Sequence, residues 1–201
     1  MNILLDHLPD AVNIGGVSYP IETDFRAGIQ FEIMVQRKEE RLAELLRPWY
    51  QSCGLPHDIE GAVDAALWFY RGGISEDTIE DKKGSEGKMQ HNKEAYSYEV
   101  DADAIYTSFL SAYNIDLTTA RLHWWIFRRL LAGLPEETEF KRRVYIRTCD
   151  TKNMSKKQRE LIMKQRKALE IKRDGQKMTL EERNRQMREY VAQRMAEAPK
   201  G

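Results

Sequence analysis

Apolar residues along this chain recur mostly at helical spacing, with a strand-like alternation only near the start. Val12, Asn13, Ile14 and Val17, Ser18, Tyr19 alternate apolar and polar on either side of Gly15 and Gly16. Paired glycines supply the positive φ of a two-residue hairpin turn, so the pattern predicts an antiparallel β-hairpin. Pro20 has no amide to donate and should end the ladder or confine it to an edge. Ile3, Leu4 and Leu5 would add a short third strand. A lone hairpin is marginal in water, so this one must pack on helices.

From Thr23 or Asp24 the period becomes helical. Phe25, Ile29, Phe31, Ile33, Met34 and Val35 make a broad stripe. A second helix, about 39–50, turns Leu42, Leu45, Leu46 and Trp49 inward, with Pro48 kinking it or ending it early. Asp58 caps a third, about Ile59–Arg71, which Gly72 and Gly73 close. Residues 74–95 have almost no large apolar side chains and read as a flexible loop. Asp101 then caps a helix through Tyr113, with Asn114 as its left-handed end residue. Thr118 or Thr119 caps another through Leu131, stopped at Gly133, Leu134, Pro135. A further helix runs from about Glu137 to Thr148. Two capping boxes follow, Ser155 with Gln158 and Thr179 with Glu182. They open charged helices at about 155–173 and 180–197, broken at Asp174 and Gly175. Their apolar stripes are thin: Met154, Leu161, Ile162, Ala168, Leu169, then Leu180, Met187, Val191, Met195. The predicted class is mainly α: a helical body with a small N-terminal β-hairpin and a basic C-terminal helical tail.

Charge divides the chain in the same place. The 201 residues carry 32 Lys+Arg and 32 Asp+Glu, a net charge of zero. Residues 1–140 hold 13 bases and 24 acids, net −11; residues 141–201 hold 19 and 8, net +11. An acidic body at 1–149 and a separable basic tail at 150–201 follow as the domain reading. No apolar run nears the roughly 18 residues of a membrane span, and the first residues carry no secretory signal. Cys53 and Cys149 are the only cysteines and form no CxxC pair, which excludes a disulfide framework and fits a reducing compartment.

Little in the sequence points to catalysis. His7, His57, His91 and His123 are scattered, and no phosphate-cradling or nucleophile-elbow motif occurs. Asp101 and Asp103 fit a helix N-terminus without a metal. No enzyme activity, cofactor or metal site is therefore expected. The densest stretch is His123, Trp124, Trp125, Ile126, Phe127, Arg128, Arg129. Core packing would put Leu122, Trp125 and Ile126 inward with Trp124 at the edge. The other reading makes Trp124 and Arg128, one turn apart, anchors in a partner groove. In the tail, Leu161, Leu169, Met187 and Val191 could dock a partner helix. The tail's Lys and Arg residues are otherwise a solvated face or a phosphate-binding one.

Several blocks, in order, resemble the small phage gp-fifteen family found beside the tail genes of siphophages of Gram-positive bacteria. They begin with Asn2, Ile3, Leu4, Leu5, Asp6, Leu8, Pro9 and Val12, Asn13, Ile14, Gly15, Gly16. Tyr19, Pro20, Ile21, Thr23, Asp24, Phe25, Arg26 and Trp68, Phe69, Tyr70, Arg71, Gly72 continue them. Tyr96, Ser97, Tyr98, Asp101, Ala102, Asp103, then Tyr113, Asn114, Ile115, Asp116, Leu117 follow. Last come Leu122, His123, Trp124, Trp125, Phe127, Arg128, and Met154, Ser155, Lys156, Lys157, Gln158. The resemblance implies a tail-assembly chaperone that binds the tape measure protein, with another tail-assembly protein as a further partner. It implies action in the host cytoplasm and absence from the mature virion. The family brings no catalytic or binding residues to carry over. The competing expectation is an accessory nucleic-acid-binding phage protein that uses the basic tail.

Overall fold

The computed structural model describes residues 2–37, 39–74 and 95–171. Most of the predicted loop at 74–95, the second tail helix at 180–197, Met187 and Val191 lie outside the described residues. The elements are β1 (Ala11–Ile14), β2 (Val17–Pro20), α1 (Phe25–Gln36), α2 (Leu42–Leu46) and α3 (Ile59–Tyr70). Then come α4 (Ala102–Tyr113), α5 (Trp124–Ala132), α6 (Glu139–Thr148) and α7 (Lys156–Ala168). The protein is mainly α with one small hairpin.

The described residues fall into two compact units. The first takes 2–37, 39–74 and 121–129; the second takes 95–120 and 130–171, which includes the described start of the basic tail. The residues of α5 are shared between them.

In the first unit β1 pairs antiparallel with β2, Ile14 facing Val17 and Ala11 facing Pro20. Gly15 and Gly16 have φ of 57° and 84°, the two positive angles that a tight turn of this hand requires. Val12 and Ile14 point into the core, so the alternation of β1 selects one face. Asp24 caps α1 by accepting the Arg26 amide, and Asp58 caps α3 by accepting that of Gly61. The core is aromatic: Trp49 lies 5.5 Å from Phe31 and 5.4 Å from Phe69, and Phe25 stacks on Phe127 at 4.7 Å.

Three local expectations are corrected here. Residues Ile3, Leu4 and Leu5 form a turn, not a strand. Asn2 accepts the amides of Leu5 and Asp6 on its carbonyl and that of Leu4 on its side chain, a local closure that turns the backbone and takes those amides out of any ladder. Leu4 and Leu5 are 87% and 81% exposed. The helix expected from Thr118 or Thr119 starts later, at Trp124, because Asp116 binds both the amide and the hydroxyl of Thr118 and holds a turn instead. The second helix starts later than 39, at Leu42; its early end at Leu46, ahead of Pro48, is the expected one, since Pro48 has no amide with which to extend it.

The second unit is organised around a buried ion pair. Asp101 is 0% exposed and Arg147 4%. The guanidinium grips both carboxylate oxygens, at 2.6 and 2.9 Å, and also donates to the carbonyls of Ala95 and Leu169. Arg143 and the Ser97 amide reach the same carboxylate. Burial on its own would raise the Asp101 pKa. The hydrogen bonds from Arg147 and Ser97 and the Arg147 charge outweigh it and hold the carboxyl below its ordinary range. Ser108 supplies a second polar link. Its hydroxyl donates to the Ala104 carbonyl and accepts the Phe140 amide in the first turn of α6. Tyr98, Ile105, Phe109, Leu131, Leu134 and Phe140 form the apolar core of this unit.

Two stability outcomes follow. A Cβ at Gly28 would lie 2.3 Å from the Trp124 ring, and that ring is tethered through its own N–H. Gly28→Ala should therefore destabilise by about 1–3 kcal/mol despite the better helix former, read as a lower melting temperature. Asp101→Asn leaves Arg147 charged and buried, and should cost about 3–5 kcal/mol by denaturant titration. A neutral result there would show that the pair carries no stability.

Candidate partner interface

The two readings of the Trp124 helix are separated by where α3 ends. The Gly73 and Gly72 amides turn back onto the Trp68 and Phe69 carbonyls, each at 3.0 Å, and close the helix end. The residues of α5 add side-chain donors to Phe69 and to the Tyr70 carbonyl beyond it. Trp125 Nε1 donates to the Phe69 carbonyl at 2.7 Å and Trp124 Nε1 to the Tyr70 carbonyl at 2.9 Å. Arg128 also donates to the Tyr70 carbonyl, at 2.7 Å, with its guanidinium over the Tyr70 and Trp124 rings. Two sequence blocks distant in the chain, Trp68 to Gly72 and Leu122 to Arg128, thus meet as one cap.

Trp124 and Trp125 are each 1% exposed. Trp124 is therefore inside the core and not at its edge, while Arg128 is half-buried beside it. Adjacent indoles point about 100° apart on a helix, which prompted the reading of one in and one out. Both are inside because α1, α3 and the segment after α2 surround this turn: Trp124 lies against Gly28, stacks on Tyr70 at 5.7 Å and meets Trp49 edge-on at 6.3 Å.

His123 is the N-cap of this helix, a role its position did not announce. Its Nδ1 accepts the Trp125 amide and its Nε2 donates to the Pro9 carbonyl, so the ring is neutral with the proton on Nε2. Burial lowers its pKa below 6.5 and the Arg129 charge adds to this, against the Pro9 hydrogen bond and the Asp10 charge. The unfolded chain takes up this proton first as pH falls, so the contribution of His123 is intact above about 6.5 and is lost below it.

The predicted residues of the tail lie elsewhere. Ser155 and Gln158 form the full capping box, and α7 runs to Ala168, short of the expected 173. No residue of α7 is fully buried. Ile162, Arg166 and Leu169 are half-buried on the side that packs on α6. Leu161 is 57% and Met163 49% exposed, set among exposed Lys156, Lys157, Arg159, Lys164 and Lys167, with Glu160 the only acid in the helix. Leu161 thus faces solvent while Leu169 faces inward. The described surface of α7 is cationic with apolar residues set into it, a form suited to a partner that is itself both apolar and acidic.

An apolar groove of about 310 Å³ lies in the first unit, lined by Leu42, Ala43, Leu46, Leu55 and Ile59 with Glu40 and Arg41 at its edge. Among the described residues no cluster of His, Cys, Asp or Glu is arranged to hold a metal, and no helix is long and apolar enough to cross a membrane.

The family model described as Bacteriophage Gp15 protein matches residues 4–171. No curated protein and no solved structure matches the chain.

The histidine cap has a measurable consequence. His123→Asn keeps a side-chain acceptor at the cap but does not titrate. The melting-temperature advantage of the wild type over this variant should shrink as pH falls from about 7.5 to about 5. A constant difference would show that His123 is not the titrating group.

Proposed function

The chain belongs to the bacteriophage Gp15 family, and on that premise we propose that it is a tail-assembly chaperone that binds the tape measure protein of its own phage. Its role in this reading is binding and not catalysis. It acts in the host cytoplasm, with a second tail-assembly protein as a possible co-partner, and leaves before the virion is complete. The observation that carries the binding surface is the exposed part of α7. Leu161 and Met163 stand exposed among cations on its two flanks, either side of the inward Ile162, so a helical client offering apolar residues flanked by acids would bury one flank and be steered by charge. Of the other stripe residues, Leu169 faces inward against α6, and Met187 and Val191 lie outside the described residues.

The exposed cations also favour a second reading, weak sequence-independent binding to nucleic acid. The two readings differ in salt response: each phosphate contact should add about one unit to the slope of log K against log salt.

Co-expression tests the proposal. Tape measure protein made alone should aggregate; made with this chain it should stay soluble and co-purify. Leu161→Asp combined with Met163→Asp should abolish co-purification and leave the melting temperature within about a degree or two, as expected of exposed positions. Equal solubility of the client without this chain would overturn the chaperone reading. Submicromolar DNA binding at physiological salt would put the nucleic-acid reading in its place.

A further inference from the structure

The helices α6 and α7 are held together by reciprocal arginines. Arg147 of α6 donates through Nε to the carbonyl of Leu169, at the end of α7, at 2.8 Å. Arg166 of α7 donates to the carbonyls of Ile146 and Cys149, at the end of α6, at 2.9 and 2.8 Å. Each arginine thereby caps the open end of the other helix. The clasp is polar, and little lies beneath it: α7 has no fully buried residue. Its inner face offers Ile162 and Leu169, both half-buried.

From this we infer that α7 is a strap that opens from α6 as a unit while the rest of the second unit stays closed. Opening breaks the Arg166 bonds and the single Arg147 bond to Leu169. It leaves the bidentate Arg147–Asp101 pair and the Ser108 link untouched, since neither involves α7. The segment between the helices is shaped by its own bonds, Asp150 accepting the Lys152 amide and Arg159 holding the carbonyls of Thr151 and Lys152. These bonds do not depend on docking, so the strap can swing without unravelling its start. Opening uncovers Ile146, Ile162, Leu169 and the freed end of α6. The strap is a property of this chain and does not depend on the chaperone reading.

The two cysteines report on it. Cys53 is exposed; Cys149 is half-covered, with the Arg166 guanidinium 3.4 Å from its sulfur. In the full chain, a small maleimide should modify Cys53 quickly and Cys149 slowly, as resolved by mass spectrometry. The Cys149 rate should not vary with denaturant well below the unfolding transition, the mark of local opening. Truncating Arg166 would bare the thiol directly, so the informative variant is remote. Ile162→Ala removes an apolar contact made only when α7 is docked and should speed Cys149 labelling about fivefold, with Cys53 unchanged. Ser155→Ala removes a cap that the open and closed strap share and should leave the Cys149 rate nearly unchanged. The inference is overturned if Cys149 reacts as fast as Cys53, if its rate follows global unfolding seen by tryptophan fluorescence, or if Ile162→Ala leaves it unchanged.

Discussion

The end of α3 is the point on which the first unit depends. The Gly72 and Gly73 amides close the Phe69 and Trp68 carbonyls, but the Tyr70 carbonyl is left to side chains, and an unpaired buried carbonyl costs about 1–3 kcal/mol. Trp124 and Arg128 meet that demand and Trp125 adds a second donor to Phe69, while the indoles bury two of the largest apolar surfaces in the chain. One turn of α5 therefore sets other features around it. His123 must cap that turn and hold Pro9. Gly28 must be bare because the Trp124 ring lies against α1. The aromatic content of the stretch reflects a packing and hydrogen-bonding task more than a recognition surface.

The second unit meets the same constraint with charge. Arg147 is buried, yet its donors reach a carboxylate and two backbone carbonyls, so its desolvation is offset bond by bond. Arg166 repeats the device at the periphery. Guanidinium suits this work because it stays charged and presents donors in a fixed fork. An excess of basic residues after position 140 is thus partly structural. Arg143, Arg147 and Arg166 serve the fold, and Lys156, Lys157, Lys164 and Lys167 are left for solvent or a partner.

That division gives the protein its functional character. The aromatic unit is tightly tied, with its large side chains committed inward. The cationic helix is lightly tied, with Leu161 and Met163 outward. In the chaperone role proposed above, a surface on a lightly held helix would be the useful one, because little of the core is disturbed when a client binds or leaves.

Much of the fold was legible in the chain. The Gly15–Gly16 hairpin, the Asp24 and Asp58 caps, the left-handed Asn114 and the Ser155–Gln158 box are local instructions, complete within a few residues, and the structure follows them. Periodicity named the helices, and the order of the blocks named the family. What remained illegible was long-range. Asp101 reads as a plain N-terminal acid until Arg147 reaches it, and Trp124 reads as an edge residue until other helices enclose it; Thr118 is the local exception, its amide and hydroxyl claimed by Asp116 two residues away. A local signal is carried by neighbours in sequence, whereas the partner of a buried donor or charge is chosen by which elements fold together. Tertiary structure alone decided that the indoles and arginines would finish the ends of other helices.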